Sequence, residues 1–146
     1  MSKLLEILQA SIGKQMNNFF APPLTQWLAG TLLKAEHGEV EMSFVVRNEM
    51  TNPAGMLHGG IHAAILDDII GMNVASLGLP NLYVSVNLSI DFLAPARVGE
   101  VVISKTKIIR AGKTIVNATA EIYNEKGILL SKATSNLANT GLPAPM

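Results

Sequence analysis

At 146 residues, with 49% apolar and 15% charged residues, the chain is long enough for one domain with a sizeable core and too apolar to be disordered. The formal net charge is zero, so nothing in the composition favours nucleic acid or an anionic membrane as a partner. The absence of cysteine excludes disulfides, thiolate catalysis and cysteine-based zinc sites.

The first residues have the pattern of a short amphipathic helix over residues 3–16, whose apolar face consists of Leu4, Leu5, Leu8 and Ile12. This apolar patch is short and contains charge, which is not typical of a signal peptide, so we expect a cytoplasmic protein. Residues 1–22 are predicted to form an N-terminal helix and linker, docked as a lid or brace on a domain at residues 23–139.

Two strands are expected in the first third of the chain. The first is placed at residues 27–34, ahead of a turn at His37-Gly38. From residue 40 onward apolar and polar residues alternate, which is typical of a half-buried strand, with Val40, Met42, Phe44 and Val46 on the apolar face.

The centre of the chain is a loop that turns into a long helix. Residues 52–60 contain the Pro and Gly residues typical of a loop, and an apolar helical run then lasts to about Ser76. Two of the three aspartates of the chain, Asp67 and Asp68, lie in that run without a nearby Lys or Arg. A carboxylate on a mostly apolar helix costs free energy of folding, so we expect it either to have a polar partner or to serve a function.

Asp67 has small neighbours at helical spacing. Ala63 and Gly71 stand four residues before and after it, so they lie on the same face of the helix. Two small residues open a groove on each side of the carboxylate, and a merely structural aspartate does not need that space.

Four further strands are expected at residues 83–93, 101–110, 114–123 and 128–138, followed by a flexible tail at 140–146. The first of these strands carries alternate apolar residues from Val84 to Phe92 on one face and Ser85 on the other. Two early strands, one helix that is apolar nearly all round and four meander-like strands predict an α+β fold. In this fold an antiparallel sheet wraps around the central helix.

The loop–helix junction at His58-Gly59-Gly60 has backbone groups that can take part in a reaction at the groove. Backbone N–H groups at a helix N-terminus stabilise developing negative charge, and glycines let a substrate carbonyl approach closely. Asn52 adds an amide donor, Asp67 has the chemistry of a general base or a nucleophile, and Ser85 is suited to hold a water. Since the chain has no Gly-x-Ser-x-Gly elbow, the pattern indicates acyl transfer to water without a serine nucleophile.

The arrangement Asn-x-x-Gly-x-x-His-Gly-Gly, with an aspartate nine residues after the histidine, resembles the hotdog-fold thioesterases of the phenylacetate-degradation (PaaI-like) type. The residues that match are Asn52, Gly55, His58, Gly59, Gly60 and Asp67. Ser85-Val86-Asn87-Leu88 resembles the next strand of that family, and Arg110-Ala111-Gly112-Lys113 resembles its basic turn. The resemblance extends over about residues 35–139.

This resemblance implies a hotdog fold, hydrolysis of acyl-CoA thioesters, and homodimers or dimers of dimers with active sites at the dimer interface. It implies that the Gly59 N–H and Asn52 polarise the thioester carbonyl, and that Asp67 acts as base or nucleophile. His58 would support the sulfur side or the loop, and Ser85 would help place the water.

The resemblance also implies a site for coenzyme A. The turn that contains Arg110, Gly112 and Lys113 would meet the phosphates or the nucleotide of coenzyme A. Coenzyme A is part of the substrate, so neither a cofactor nor a metal is expected to be required, and no nucleic acid or membrane partner is expected.

Several alternatives remain open from the residues themselves. Asp68 has the same chemistry as Asp67, and only the spacing favours Asp67. His58 and His62 stand four residues apart, which suits zinc, but the Glu of a His-Glu-x-x-His motif is missing and the glycines place His58 before the helix. His58 as a brace for the loop, Ser85 as plain strand polarity, and the basic turn as a solvated turn also explain the sequence.

Two other functions compete with thioester hydrolysis. A hydratase or dehydratase that acts on acyl thioesters is disfavoured by the position of Asp67 and by Ser85. A non-catalytic acyl-CoA-binding regulator would need a DNA-binding extension, which residues 1–20 are too short and too neutral to supply. The acyl group is expected to depend on pocket walls contributed by Leu66, Ile70 and the N-terminal segment.

Helix geometry adds an expectation about assembly. Gly59 and Asp67 are eight residues apart, which is roughly 12 Å along one helix. A bound carbonyl and the water that attacks it lie within about 3 Å of each other. Two antiparallel helices related by a two-fold axis bring Gly59 of one chain to Asp67 of the other, so we expect a site shared between two chains.

Overall fold

The structure, a computed structural model, describes residues 2–18 and 20–145. Its helices are α1 (Lys3–Ala10), α2 (Pro23–Leu28) and α3 (Gly59–Ser76), with a 3-10 turn at Asn48–Met50. Its strands are β1 (Thr31–Glu36), β2 (Glu39–Val45), β3 (Asn81–Phe92), β4 (Val101–Ala111), β5 (Ile115–Asn124) and β6 (Leu129–Pro143). In the part of the chain described, none of the helices has the length and apolar character needed to cross a lipid bilayer.

The strands form one antiparallel sheet in the order β1-β2-β4-β5-β6-β3. The sheet wraps around α3, whose Ile65, Leu66, Ile69 and Ile70 are fully buried. The predicted α+β hotdog arrangement is therefore confirmed. The predicted meander is correct for β4, β5 and β6, but β3 pairs with β6 and not with β4.

The N-terminal helix is shorter than predicted. α1 ends at Ala10, and Gly13, with a φ of +84°, turns the chain away from the helix. Residues 13–16 then run beside β1, where the Gly13 N–H donates to the Leu32 carbonyl at 2.7 Å. Leu5 and Leu8 are buried in the same core as α3, so α1 braces the domain and leaves Ile12 45% exposed.

The strand predicted at residues 27–34 begins later than expected, because its first two residues end the helix α2. Pro23 occupies the first turn of α2, where the missing N–H of a proline costs nothing. α2 buries Thr25 and Leu28, and Ala29 ends it in the left-handed conformation with a φ of 54°. Only residues 31–36 form the predicted strand.

The other predicted elements are confirmed with small changes at their ends, except that β6 continues to Pro143. Asn81 pairs with Pro143 and Tyr83 with Asn139, so residues 140–143 of the predicted tail belong to a strand. Met146, at the end of that tail, lies outside the described residues. The domain boundaries at 22/23 and 139/140 and the flexibility of the tail stay predictions.

A β-bulge interrupts β3 beside α3. Ser85 pairs with Leu137 and Asn87 with Asn136, so Val86 is one extra residue on this strand. The side chain of Asn87 fills the gap, because its Oδ1 accepts the Asn136 N–H at 2.9 Å.

The bulge changes which residues face α3. Tyr83 before it and Leu88 after it both pack against the core, although regular alternation would put them on opposite faces. Val84 and Val86 are 45% and 60% exposed. The prediction that residues 84–92 keep one apolar face along the whole strand was therefore wrong, and the bulge turns Ser85 toward α3.

Candidate active site

The N-terminus of α3 leaves one N–H group free for a ligand. The first N–H groups of a helix have no intrahelical acceptor. His58 is the N-cap, and its Nδ1 accepts the Gly60 N–H at 2.9 Å, while its carbonyl accepts the N–H groups of Ile61 and His62. Within residues 2–18 and 20–145, the Gly59 N–H has no acceptor.

The ring of His58 is used as a brace for the loop. Because Nδ1 accepts a hydrogen bond, the neutral ring carries its proton on Nε2 and presents a donor on its outer side. The interpretation of His58 as a hydrogen-bond partner in the loop is confirmed, and a contact with the sulfur of a thioester stays a prediction.

No contact within the described residues requires glycine at position 59. Its backbone is helical, and an added Cβ would lie 3.5 Å from Cε1 of Phe92, which is ordinary van der Waals contact. Gly60 differs, because a Cβ there would lie 3.2 Å from His58 Nδ1. Glycine at 59 keeps the backbone around the free N–H group uncovered by a side chain of its own.

Asn52 shapes the loop before the helix. Its Oδ1 accepts the N–H groups of Ala54 at 2.9 Å and Met56 at 3.1 Å, and its own N–H donates to the Met56 carbonyl. The amide Nδ2 has no acceptor in the described residues, so it is available as the predicted donor.

Asp67 and Ser85 meet across a groove between α3 and β3. The Ser85 hydroxyl donates to Asp67 Oδ1 at 3.0 Å, and both side chains are exposed. The groove has a volume of about 410 Å³, and its wall consists of Gly60, Ala63, Ala64 and Asp67 from α3 and residues 85–88 from β3. The structure thus brings together the predicted carboxylate, the predicted hydroxyl and the small residue Ala63.

Asp68 has a different environment from that of Asp67. The Thr25 hydroxyl of α2 lies 2.9 and 3.0 Å from the two carboxylate oxygens of Asp68. Burial raises the pKa of Asp68, the bond from Thr25 lowers it, and the charge of Asp67 raises it further. Asp68 therefore anchors α2, which leaves Asp67 as the carboxylate at the groove.

The second helix histidine lies in the core. His62 is 4% exposed, its Nδ1 lies 2.8 Å from the Ser131 hydroxyl, and burial lowers its pKa. Its ring packs against Phe92 with an interplanar angle of 87°. His58 and His62 thus have separate partners, and no group of three His, Asp or Glu side chains in the described residues is placed to bind a metal.

Two predicted pocket residues do not line the groove. Leu66 and Ile70 are fully buried on the core side of α3. Both stand about 100° or less from Asp67 around the helix, but toward the sheet. The expectation that they form pocket walls was wrong.

The basic turn joins β4 to β5 and is held by the neighbouring strands. The Tyr83 hydroxyl donates to the carbonyls of Gly112 and Lys113 at 3.3 and 3.0 Å, and Asn139 Nδ2 donates to the Lys113 carbonyl. Tyr83 is two residues before Ser85, so the turn and the groove share one end of β3. Arg110 and Lys113 are exposed and take part in none of the ion pairs of the described residues.

Gly112 is required by the turn itself. An added Cβ would lie 2.6 Å from the carbonyl oxygen of Ile115, which accepts the Gly112 N–H at 2.8 Å. A side chain at this position therefore clashes with backbone. The glycine needs no ligand to explain it, and its contact with coenzyme A stays a prediction.

Sequence reasoning missed Thr25, Ser131 and Phe92 as partners of the helix residues. Thr25 is 43 residues from Asp68, and Ser131 is 69 residues from His62. No local pattern relates residues so far apart. Tyr83 was within reach, because it precedes Ser85 by two residues and lies on the same face of β3 before the bulge.

Comparisons with known proteins identify a family for this chain. Residues 54–131 match the model of the Thioesterase superfamily. Human acyl-coenzyme A thioesterase 13 is 32% identical over 114 residues, which cover 75% of this chain and 80% of that protein.

Solved structures share the fold. A hypothetical thioesterase protein from Streptococcus pneumoniae TIGR4, whose structure contains coenzyme A, superposes with a TM-score of 0.74 at 30% identity, covering 79% of this chain and 88% of that one. The PaaI protein of E. coli superposes with a TM-score of 0.79 at 18% identity, covering 86% and 89%, and shows the fold alone. With its hotdog fold, its matched residues 54–131 and its curated relatives, the chain belongs to the thioesterase superfamily.

Proposed function

We propose that this protein hydrolyses acyl-coenzyme A thioesters to the free acid and coenzyme A. The observation that carries the proposal is the pair of Asp67 and Ser85, 3.0 Å apart in an open groove, on the helix whose first N–H group is unused. A carboxylate, a hydroxyl and a free helix N-terminus are the groups that thioester hydrolysis by water needs.

Each residue has a part in the reaction. The Gly59 N–H and Asn52 Nδ2 bind the thioester oxygen and stabilise the negative charge that develops on it. Ser85 donates to Asp67, so its lone pairs and the second carboxylate oxygen can accept both protons of a water. This Asp67 belongs to the second chain of the dimer proposed below, and it takes one proton as the water attacks the carbonyl carbon. In the alternative route the carboxylate itself attacks the carbonyl and displaces the thiolate, and water then hydrolyses the acyl–Asp67 anhydride to the free acid.

Coenzyme A leaves when the tetrahedral carbon collapses. The C–S bond breaks, and the thiolate takes up a proton to give the free thiol. The outer nitrogen of His58 carries an exposed donor next to Gly59, which suits a role on the sulfur side. Arg110 and Lys113 on the turn between β4 and β5 attract the phosphates of coenzyme A.

The names of the relatives support this class of substrate. Human acyl-coenzyme A thioesterase 13 is named for acyl-coenzyme A, and the structure from Streptococcus pneumoniae contains coenzyme A. The cytoplasmic location stays a prediction. Neither a metal nor a further cofactor takes part in the steps above, so we expect full activity in the presence of a chelator.

The active form is a homodimer, or a dimer of such dimers. Two features support this proposal. β3 is an edge strand twelve residues long, whose outer hydrogen-bonding groups face no other strand in the described residues. Gly71 is exposed on α3, and an added Cβ there would meet nothing, although glycine inside a helix costs about 1 kcal/mol relative to alanine.

The experiment compares Asp67→Asn with Asp68→Asn. The two variants remove the same charge from adjacent residues of one helix, and thiol release from a panel of acyl-CoA esters measures their activity. We expect Asp67→Asn to lower kcat by at least about a hundredfold, the scale of a lost general base. Asp68→Asn should keep nearly the activity of the wild type, because Asn still accepts the Thr25 hydroxyl.

The opposite result, loss with Asp68→Asn alone, would assign the chemistry to the other carboxylate. A wild-type protein that binds acyl-CoA in calorimetry but releases no thiol from any ester would be a binding protein. Consumption of an enoyl-CoA without thiol release would indicate a hydratase.

A further inference from the structure

His62 lies under the first turn of α3, where the helix meets β6 and β3. Its Nδ1 is 2.8 Å from the hydroxyl of Ser131, a fully buried residue of β6. Ser131 pairs directly with Phe92, the last residue of β3, so the side chains of both residues lie on the same face of the sheet. The hydrogen bond to Ser131 fixes the orientation of the imidazole ring.

The imidazole ring in turn holds the ring of Phe92. The two centroids are 5.6 Å apart in an edge-to-face arrangement, which is a favourable geometry for aromatic rings. The ring of Phe92 also lies beside Gly59, on the side where a side chain would stand: a Cβ on that glycine would be 3.5 Å from Phe92 Cε1, which is van der Waals distance. Ser131, His62 and Phe92 are therefore linked by direct contacts, and the Phe92 ring borders the glycine that carries the free N–H group.

We propose that His62 is a positioning residue of the thioesterase reaction, which holds Phe92 against Gly59 and so fixes the direction of the Gly59 N–H. This inference rests on the proposed function, in which that N–H binds the thioester oxygen. His62 itself touches no reacting atom, because it is buried and faces away from the groove.

The first turn of α3 needs such a support. It begins with two successive glycines, which have the greatest backbone freedom of all residues. Phe92 is 56% exposed, so the surrounding core does not fix its ring on every side. A donor to an oxyanion acts through its exact direction, and displacement by about 1 Å can cost up to about a hundredfold in rate.

His62→Gln tests this role, because Gln can keep the hydrogen bond to Ser131 while it removes the ring that touches Phe92. We expect kcat to fall about tenfold, below the loss caused by removing an oxyanion donor altogether, with little change in KM. In ¹H–¹⁵N spectra the Gly59 amide should shift and exchange faster with solvent.

Asn73→Ala is the matched control. Asn73 is also a fully buried polar residue of α3, and its amide donates to the Gly38 carbonyl at the far end of the helix. The Asn73→Ala variant should be less stable than the wild type. At a temperature where it and His62→Gln are both folded, its kcat and its Gly59 amide signal should be those of the wild type. His62→Phe combined with Ser131→Ala restores an aromatic ring without the polar pair, and should recover most of the lost kcat.

A double-mutant cycle adds Phe92→Leu. If His62 acts through Phe92, His62→Gln with Phe92→Leu should be no slower than the slower single variant. Wild-type kcat in His62→Gln, an equal loss of kcat in Asn73→Ala, or independent effects in the cycle would overturn the proposal. If the wild-type protein did not hydrolyse acyl-CoA, the proposed function would fail, and the Gly59 amide signals would still decide whether His62 positions that group.

Discussion

Asp67 and Asp68 are one residue apart, yet their carboxylates have opposite surroundings. Asp67 is exposed and accepts a hydrogen bond from Ser85, while Asp68 is partly buried against α2 and accepts a hydrogen bond from Thr25. No Lys or Arg lies in an ion pair with either of them in the described residues. Burial without a cation makes the charged form of Asp68 costly, and the hydrogen bond from Thr25 offsets only part of that cost.

The raised pKa of Asp68 predicts how the stability of the protein depends on pH. Because the folded-state pKa lies above the unfolded value of 3.8, ionisation favours the unfolded state, and this group destabilises the fold as pH rises above about 4. Asp68→Asn should therefore raise the free energy of unfolding at pH 7, and the gain should shrink toward pH 4. Urea unfolding at several pH values measures this difference.

Asp67→Asn is the comparison variant: it lies in the same turn but is exposed, so it should raise the free energy of unfolding by less, through the repulsion of Asp68 that it removes. A destabilised Asp68→Asn variant at pH 7 would mean that the negative charge strengthens the bond from Thr25 by more than burial costs. The environment of Asp68 would then have to be reconsidered.

At this scale the sequence identifies the groups of the groove but not their supports. Asp67 was recognisable from its uncompensated charge and helical spacing, and Ser85 from the polar face of its strand, and both face the groove; the roles of Asn52 and Gly59 stay predictions. The bond between Thr25 and Asp68 depends on how α2 folds back over α3, and no local property of either residue predicts it. The same holds for the contact of His62 with Ser131.

The basic turn between β4 and β5 leads to a prediction about the binding of coenzyme A esters. Arg110→Ala with Lys113→Ala should raise KM for coenzyme A esters and weaken its dependence on salt, because two exposed cations that attract phosphates are lost. Hydrolysis of a short thioester without the nucleotide should change little. Steady-state kinetics with both substrates at two ionic strengths measures the difference.

Lys105→Ala with Lys107→Ala is the control, because these two exposed cations also lie on β4 but away from the turn. It should leave KM for coenzyme A esters unchanged. Equal losses on both thioesters in the Arg110 and Lys113 variant would indicate damage to the fold, and the turn would then not be a phosphate site.

Most elements were predictable from alternation and from turn residues, and the errors have physical causes. Pro22-Pro23 was interpreted as a break, although a proline in the first turn is compatible with the start of a helix. The pairing of β3 with β6 was missed because the apolar face of an antiparallel strand does not indicate which other strand it pairs with. The bulge at Val86 was missed because Val84 to Phe92 fits regular alternation without it.

The two edges of the sheet differ at the scale of the whole molecule. Residues 13–16 cover part of β1, whereas no described segment covers β3. Gly60, Asp67 and Gly71 are exposed along one face of α3, beside this open edge. A second copy related by a two-fold axis would cover both features at once.

Mixed dimers test whether the active site spans two chains. One chain carries Asn52→Ala with Gly59→Pro and the other carries Asp67→Ala, and each should be inactive alone. Random pairing gives about half mixed dimers, each with one intact site of two, so roughly a quarter of the wild-type activity should return after co-expression. Thiol release measures the activity, and native mass spectrometry measures the fraction of mixed dimers.

If mixed dimers form and no activity returns, Gly59 and Asp67 act within one chain. The argument from their separation of roughly 12 Å along α3 would then be wrong. A mixture of two Asp67→Ala chains with different mass labels is the control, and it should stay inactive at every ratio.

The open edge of β3 also matters for a newly synthesised chain. Until a partner covers it, a strand of twelve residues with Val84 and Val86 exposed is a template on which any other extended segment can add. The bulge at Val86 and the charge of Asp91 limit this hazard, since both make an edge less suitable for regular pairing. In the homodimer proposed above a second copy covers this edge, so the affinity between subunits sets how long the edge stays open at a given concentration.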